Sequence, residues 1–246
     1  MRACVVVPTY NERENVARLV REVAGAGEPE LHILFVDDNS PDGTQDEIRK
    51  AAAADPSVHL LAREAKKGIG SAYIDGFREA IETLHPDVLL EMDADMQHPP
   101  SVIPELVKAV ADGAGVAVAS RYVPGGGTSG WGIWRRTVSR TANGVARGLL
   151  GIKVKDCTSG FRAYSRECAA ALLGSDLPAK GFEFQVATLY ALKGRAEMRE
   201  VPYVFGRRRA GRSKLGAADM MRFLAAVVRM AVRGQPAAGR QPSDSA

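Results

Sequence analysis

Five short apolar runs recur through the first 120 residues, each ending in polar side chains and most followed by a stretch with helical periodicity. They are ACVVVP (3–8), LHILFVD (31–37), VHLLA (58–62), VLLEMD (88–93) and GVAVAS (115–120). Successive rather than alternate positions are apolar, the pattern of strands buried on both faces, as in a parallel sheet. Between the runs, Asn11 with Glu14 and Thr44 with Glu47 have the spacing of a helix N-cap followed three residues later by an acid. This alternation predicts an α/β fold with an open, mostly parallel central sheet flanked by helices. Ligands of such sheets bind beyond the carboxyl ends of the strands. Thr9 and Tyr10, Asp37 and Asp38, and Asp93, Ala94 and Asp95 are therefore expected along one edge.

A chain of 246 residues suits one large domain, or one with a small appendage. The cysteines Cys4, Cys157 and Cys168 form no C-x-x-C pair, which argues against a disulfide framework or a zinc site and for a reducing cytosol. MRACVVVPTY runs directly into a strand, so no signal peptide is expected, and no stretch approaches the ~18 apolar residues of a spanning helix. No G-x-G-x-x-G or P-loop is present. Charge divides the chain. Residues 1–120 hold 11 Lys/Arg against 21 Asp/Glu, a net −10, and residues 121–246 hold 22 against 8, a net +14. An acidic half attracts a cation and a basic half an anion such as phosphate, a membrane surface or nucleic acid. Against nucleic acid, aromatics are only 6% and do not interleave with the arginines.

The second half reads as a glycine-rich loop (124–130), a helix (134–150), a strand region (158–165), a helix (183–193) and a strand (196–205). In residues 215–233, Asp219, Arg222, Arg229 and Arg233 form one stripe of an otherwise apolar helix. It is expected either to pack on the sheet or to lie at a membrane surface. The end of the chain, 234–246, has the composition of a disordered tail.

Four groups of residues carry chemistry. Asp93, Asp95 and Gln97 alternate on an extended segment, so hard oxygen donors converge at a strand end, a set suited to Mg²⁺ or Mn²⁺ with ligand phosphates. Asp37 and Asp38 can accept from a base or ribose, Tyr10 offers a stacking surface, and Glu12 lies beside it. Gly68, in KKGIG, allows backbone to approach a sugar or phosphate at a helix start. Arg121, the group Arg135, Arg136, Ser139 and Arg140, and GRRRAGRSKLG (206–216) supply cations suited to phosphate.

These motifs together resemble the family-2 inverting glycosyltransferases of GT-A fold, and more closely the polyprenol (dolichol) phosphate mannose synthases. The blocks VVVPTYNERENV, FVDDNSPDGT, GIGSAYIDGF, MDADMQHPP, SRYVPGG, DCTSGFRAYSRE, GFEFQVATLYALKG, EVPYVF and RRAGRSKLG follow in family order from residue 5 to residue 216. The resemblance implies inverting transfer of mannose from GDP-mannose to the phosphate of a polyprenyl or dolichyl monophosphate. It assigns the divalent ion to Asp93, Asp95 and Gln97. The nucleotide sugar falls to Pro8, Tyr10, Glu12, Asp37, Asp38, Gly68 and the Asp93, Ala94, Asp95, Gln97 segment. The acceptor phosphate falls to Arg121, Arg135 and Ser139, with Arg136 as the alternative to Arg135. Arg208 and Lys214 close over both substrates, and Asp95, Arg121, Arg208 and Lys214 are the catalytic set. It also implies a catalytic domain over 1–214 working peripherally on the cytoplasmic face of a membrane, through 215–233 or an integral-membrane partner protein, without nucleic acid. Two alternatives stay open: the same reaction with UDP-glucose or UDP-N-acetylglucosamine, and a non-catalytic nucleotide-binding module.

Overall fold

The computed structural model describes residues 1–178, 181, 183–206 and 217–236, with the backbone alone for 217–220. Arg208 and Lys214 lie outside the described residues. The expected runs become β1 (Ala3–Thr9), β2 (Leu31–Asp37), β3 (Val58–Ala62), β4 (Val88–Glu91) and β5 (Val116–Ser120). The helices between them are α1 (Arg13–Ala24), α2 (Thr44–Ala54), α3 (Ile69–Thr83) and α4 (Ile103–Ala111). The second half adds β6 (Gly127–Thr128), α5 (Ile133–Leu150), β7 (Arg162–Ser165), α6 (Arg166–Leu173), α7 (Glu183–Leu192), β8 (Met198–Pro202), β9 (Val204–Phe205) and α8 (Ala217–Arg233).

Seven strands form one sheet in the order β3-β2-β1-β4-β7-β5-β8. Six run parallel, and β7 alone is antiparallel, wedged between β4 and β5. Val5 and Val7 face a core shared with α1, α2 and α4, while Cys4 and Val6 face one shared with α3 and α5 to α8. The sheet is thus covered on both sides, which is why its strands are apolar throughout. α3 lies so close that a Cβ on Gly76 would sit 2.4 Å from Val6 Cγ1, so only glycine fits.

Three local expectations are corrected. Asn11 and Thr44 are not N-caps: Asn11 is left-handed (φ 60), the caps are Glu12 and Gly43, and neither makes a side-chain cap bond. The β2–α2 loop does the work from across the fold. Ser40 Oγ, Thr44 Oγ1 and Asp42 Oδ2 accept from the N–H groups of Asn11 (3.0 Å), Glu12 (3.0 Å) and Arg13 (3.3 Å), satisfying donors that a local cap would otherwise serve. The glycine-rich loop at 124–130 contains β6, which pairs in parallel with β9. The strand expected at 196–205 breaks at Tyr203 into β8 and β9.

Gly234 to Pro236, the start of the expected tail, are tied back to the domain. Gln235 Nε2 donates to the carbonyls of Ala191 (3.0 Å) and Lys193 (2.7 Å). Residues 237–246 lie outside the described ones.

Candidate active site

The strand order puts the carboxyl ends of β3, β2, β1, β4, β5 and β8 along one edge, and β7 begins there because it runs the other way. Nearly every chemistry-bearing residue singled out above falls at this edge. Thr9 pairs with Asp37 and Asp37 with Ala62 across β1, β2 and β3.

β4 ends at Glu91, and the turn that follows carries Asp93, Asp95 and Gln97. Asp93 and Asp95 are half-buried, while Gln97 is 8% exposed. The turn is braced from within: Gln97 N–H donates to Asp95 Oδ1 (3.1 Å), and Met96 is left-handed at φ 64. Gln97 Nε2 donates to the Gly206 carbonyl (3.1 Å), which leaves its amide oxygen as the acceptor end. Among the described residues no group of three or more His, Cys, Asp or Glu could hold a metal. Two carboxylates and one carboxamide oxygen instead fit a hard cation that completes its shell with water and ligand phosphates, as Mg²⁺ and Mn²⁺ do.

The residues expected to meet a nucleotide gather at the ends of β1, β2 and β3. Asp37, expected to contact the nucleotide, is fully buried with both oxygens occupied. Its Oδ2 accepts from Thr9 Oγ1 (2.9 Å) and Ser40 Oγ (2.6 Å), and its Oδ1 from Ser40 N–H (2.9 Å) and Gln45 Nε2 (2.9 Å). A carboxylate has about four acceptor positions, so Asp37 shapes the pocket wall and lacks a position for a ligand. Asp38, 7% exposed, has Oδ1 bound by Arg63 Nε (2.7 Å). Burial raises its pKa and outweighs the Arg63 guanidinium, which acts the other way. Arg63 is held in turn by Ser71 and Asp75 of α3 (2.9 and 3.0 Å). Tyr10 is 39% exposed, with Lys66 Nζ 3.9 Å from its ring centroid. Glu12 Oε2 accepts from Asn15 (2.6 Å), and Pro8 lies inside β1 opposite Val36. Gly68 opens α3 at φ 109, a backbone state that strains any other residue.

Directly after β5, Arg121 is buried and chelated by Asp156, with Nε to Oδ2 at 2.7 Å and Nη2 to Oδ1 at 2.6 Å. Burial opposes its charge, but Asp156 prevails and raises its pKa. Trp131 collects both arginines of this group: the Arg121 guanidinium lies 5.3 Å from its ring centroid and that of Arg135 4.0 Å. Arg136 is exposed and donates to the Trp131 carbonyl, so geometry favours Arg135 as the partner of Arg121. Ser139 joins through Tyr122, whose hydroxyl donates to Ser139 Oγ (2.7 Å). Beneath the acidic turn, burial pushes the Glu91 pKa up to about 7 while Arg162 opposes it. Tyr164 donates to Glu91 (3.0 Å), and Tyr73 reaches Asp93 Oδ1 (3.4 Å).

Sequence reading misses Arg63 and Asp156, which hold Asp38 and Arg121. Each acts through a partner remote in sequence, and the only signal is position: an Arg directly after β3 and an acid two residues before Thr158.

The model for glycosyl transferase family 2 matches residues 4–173. The chain is 42% identical over 237 residues to the polyprenol monophosphomannose synthase of Mycolicibacterium smegmatis, covering 95% of this chain and 88% of that one. It is 41% identical over 216 residues to the undecaprenyl-phosphate mannosyltransferase of Micrococcus luteus, covering 87% and 88%. Among solved structures, it resembles a mannosyltransferase from Pyrobaculum calidifontis in complex with GDP-Man and Mn²⁺, with a TM-score of 0.65, 20% identity, and 98% of this chain and 66% of that one covered. That structural likeness is one of fold, and the fold is GT-A.

Proposed function

This chain belongs to glycosyl transferase family 2, among the polyprenol-phosphate mannosyltransferases, and we propose that it transfers mannose from GDP-mannose to the phosphate of a polyprenyl monophosphate, with inversion at the anomeric carbon. The observation that carries the reading is a sheet edge that holds both an acidic turn and a group of arginines suited to phosphate. Asp93, Asp95 and Gln97 end one strand, and Arg121, Arg135 and Ser139 gather around Trp131 and Tyr122 near the ends of the neighbouring strands.

The acceptor phosphate is already anionic near neutral pH, so its oxygen attacks the anomeric carbon without a strong base. A new C–O bond forms to that oxygen as the bond to the diphosphate breaks, and GDP carries the electron pair away. The buried cysteines Cys4 and Cys157, whose pKa values burial raises to about 12, fit a reaction that forms no thiolate intermediate. Bound at the acidic turn, Mg²⁺ or Mn²⁺ would neutralise charge developing on the diphosphate. The Pyrobaculum neighbour, held with GDP-Man and Mn²⁺, supports both the donor and a divalent ion. Arg121 and Arg135 orient the acceptor phosphate, and Asp38 and Tyr10 line the nucleotide side. Arg208 and Lys214, outside the described residues, are assigned from the resemblance to the donor diphosphate and the acceptor phosphate. Positioning and charge stabilisation supply the rate.

No helix among the described residues is long and apolar enough to cross a membrane. We assign membrane contact to the outer face of α8, where Met221, Val228 and Val232 are 67%, 50% and 82% exposed, and to Ile133 and Trp134 at the start of α5, both 80% exposed. Arg229 and Arg233 flank the α8 patch, suited to anionic head groups. Free cysteines fit the cytoplasmic face.

The test is substitution in the purified full chain. Asp95→Ala and Lys214→Ala are each expected to abolish transfer while melting as cooperatively as wild type. Near-wild-type turnover in either would overturn the site assignment.

A further inference from the structure

Asp93 is the first residue of the acidic turn whose backbone N–H has no strand to bond to. The last bond across from β1 is Met92 N–H to the Val6 carbonyl (3.2 Å). One residue later the donor finds a side chain: Asp93 N–H donates to His98 Nδ1 at 3.1 Å. With Nδ1 accepting, the proton of the neutral ring sits on Nε2, and Nε2 lies 3.8 Å from Asp93 Oδ2. The imidazole therefore bonds the backbone of Asp93, with Nε2 near the carboxylate of the same residue but beyond hydrogen-bond range.

The ring is fixed independently of the turn it serves. His98 is 1% exposed. It stacks on Phe161, with centroids 5.1 Å apart and planes at 12°. The rings of Tyr203 and Phe205 meet it near edge-on, at 6.2 Å and 64° and at 5.8 Å and 72°. Phe161 precedes the antiparallel strand β7, Tyr203 separates β8 from β9, and Phe205 ends β9. The far side of the sheet edge thus clamps a ring that reaches back to the turn after β4. Tyr73 of α3 reaches the Asp93 carboxylate and Gln97 ties the turn to Gly206; His98 adds a hold on the backbone of Asp93 itself.

We propose that His98 is a positioning residue that presents the Asp93 carboxylate to a divalent cation, touching neither substrate nor the reacting atoms. The inference rests on the assignment of the cation to Asp93, Asp95 and Gln97. Its chemistry is that of an outer partner that orients a ligating carboxylate and sets its contribution to affinity.

The experiment measures Mn²⁺ binding to the full chain in the presence of GDP, by calorimetry or by the spin-resonance signal of free Mn²⁺. His98→Phe keeps an aromatic ring in the cage and removes the acceptor; His98→Leu, which is smaller, makes the same comparison if phenylalanine does not fit. His98→Asn keeps an acceptor of similar reach and loses the ring. The expected result is that His98→Phe weakens Mn²⁺ binding by roughly 10–100-fold, with His98→Asn restoring most of the loss. In transfer assays the Mn²⁺ concentration for half-maximal rate should rise in step, with a much smaller change in kcat. A folded His98→Phe that binds Mn²⁺ as wild type does would overturn the proposal. So would equal losses in the Phe and Asn variants, which would make the ring's packing rather than its nitrogen the relevant property. Wild-type protein that binds no Mn²⁺ would instead remove the cation assignment, and this proposal with it.

Discussion

Arg121 is a charge whose use is decided by its surroundings. Asp156 takes Nε and Nη2, Thr158 shares Nη2 at 2.9 Å, and aromatic rings enclose the group. What remains for an acceptor phosphate is a rigid donor with much of its charge already balanced, which favours orientation over bulk attraction. Asp156→Ala would strand that guanidinium in the interior. Breaking a buried pair in this way costs about 3–5 kcal/mol, which a urea titration should detect as a lower midpoint, together with slower transfer. A midpoint unchanged from wild type would mean that Arg121 finds water or another partner. At this scale Asp93, Asp95, Gln97 and Arg121 could be singled out as hard donors and a cation that follow strands, and the structure places all four at one sheet edge. Arg63 and Asp156 could not be singled out. Their partners, Asp38 and Arg121, lie 25 and 35 residues away, and only folding brings them together. Asp37 was legible as a strand-end acid but not as one whose acceptor positions are filled by its own loop.

Among the elements, α8 faces two ways. Phe223 and Val227, 4% and 0% exposed, pack into the core with α5 and α7, while Met221, Val228 and Val232 look outward. Its amphipathic stripe therefore serves the core and leaves a second apolar face uncovered: the core-packing expectation is met, and the exposed face is the one to which membrane contact is assigned in the proposed function. Phe223→Ala should destabilise the chain by about 3–5 kcal/mol, whereas Val232→Glu should leave the melting temperature unchanged and reduce sedimentation with anionic vesicles. Vesicle binding that survives Val232→Glu together with Val228→Glu would move the membrane contact elsewhere. Most strands and helices could be read from apolar runs and periodicity, because both are local. The reversal of β7 could not, since a strand's direction is set by which neighbours it meets. The helix starts were misread for a similar reason: the Asn11 backbone N–H and the Thr44 hydroxyl join a network between two loops, and neither residue caps its own helix.

Across the whole molecule, the opposed charges of the two halves acquire a meaning that neither half has alone. The acidic half supplies the strand ends β1 to β4 and the acidic turn, and the basic half supplies Arg121 and α5 at the same edge. On the proposed function, the acidic turn serves the cation and the arginines the phosphate, as a reaction that moves a sugar from a diphosphate to a phosphate requires. The most direct test is transfer from radiolabelled GDP-mannose to a short-chain polyprenyl phosphate in detergent, with Mg²⁺, with Mn²⁺ and with chelator, and with UDP-glucose in parallel. The account predicts a labelled lipid product from GDP-mannose, formed with either or both metals and absent with chelator. Product from UDP-glucose in place of GDP-mannose, or undiminished transfer in chelator, would contradict it.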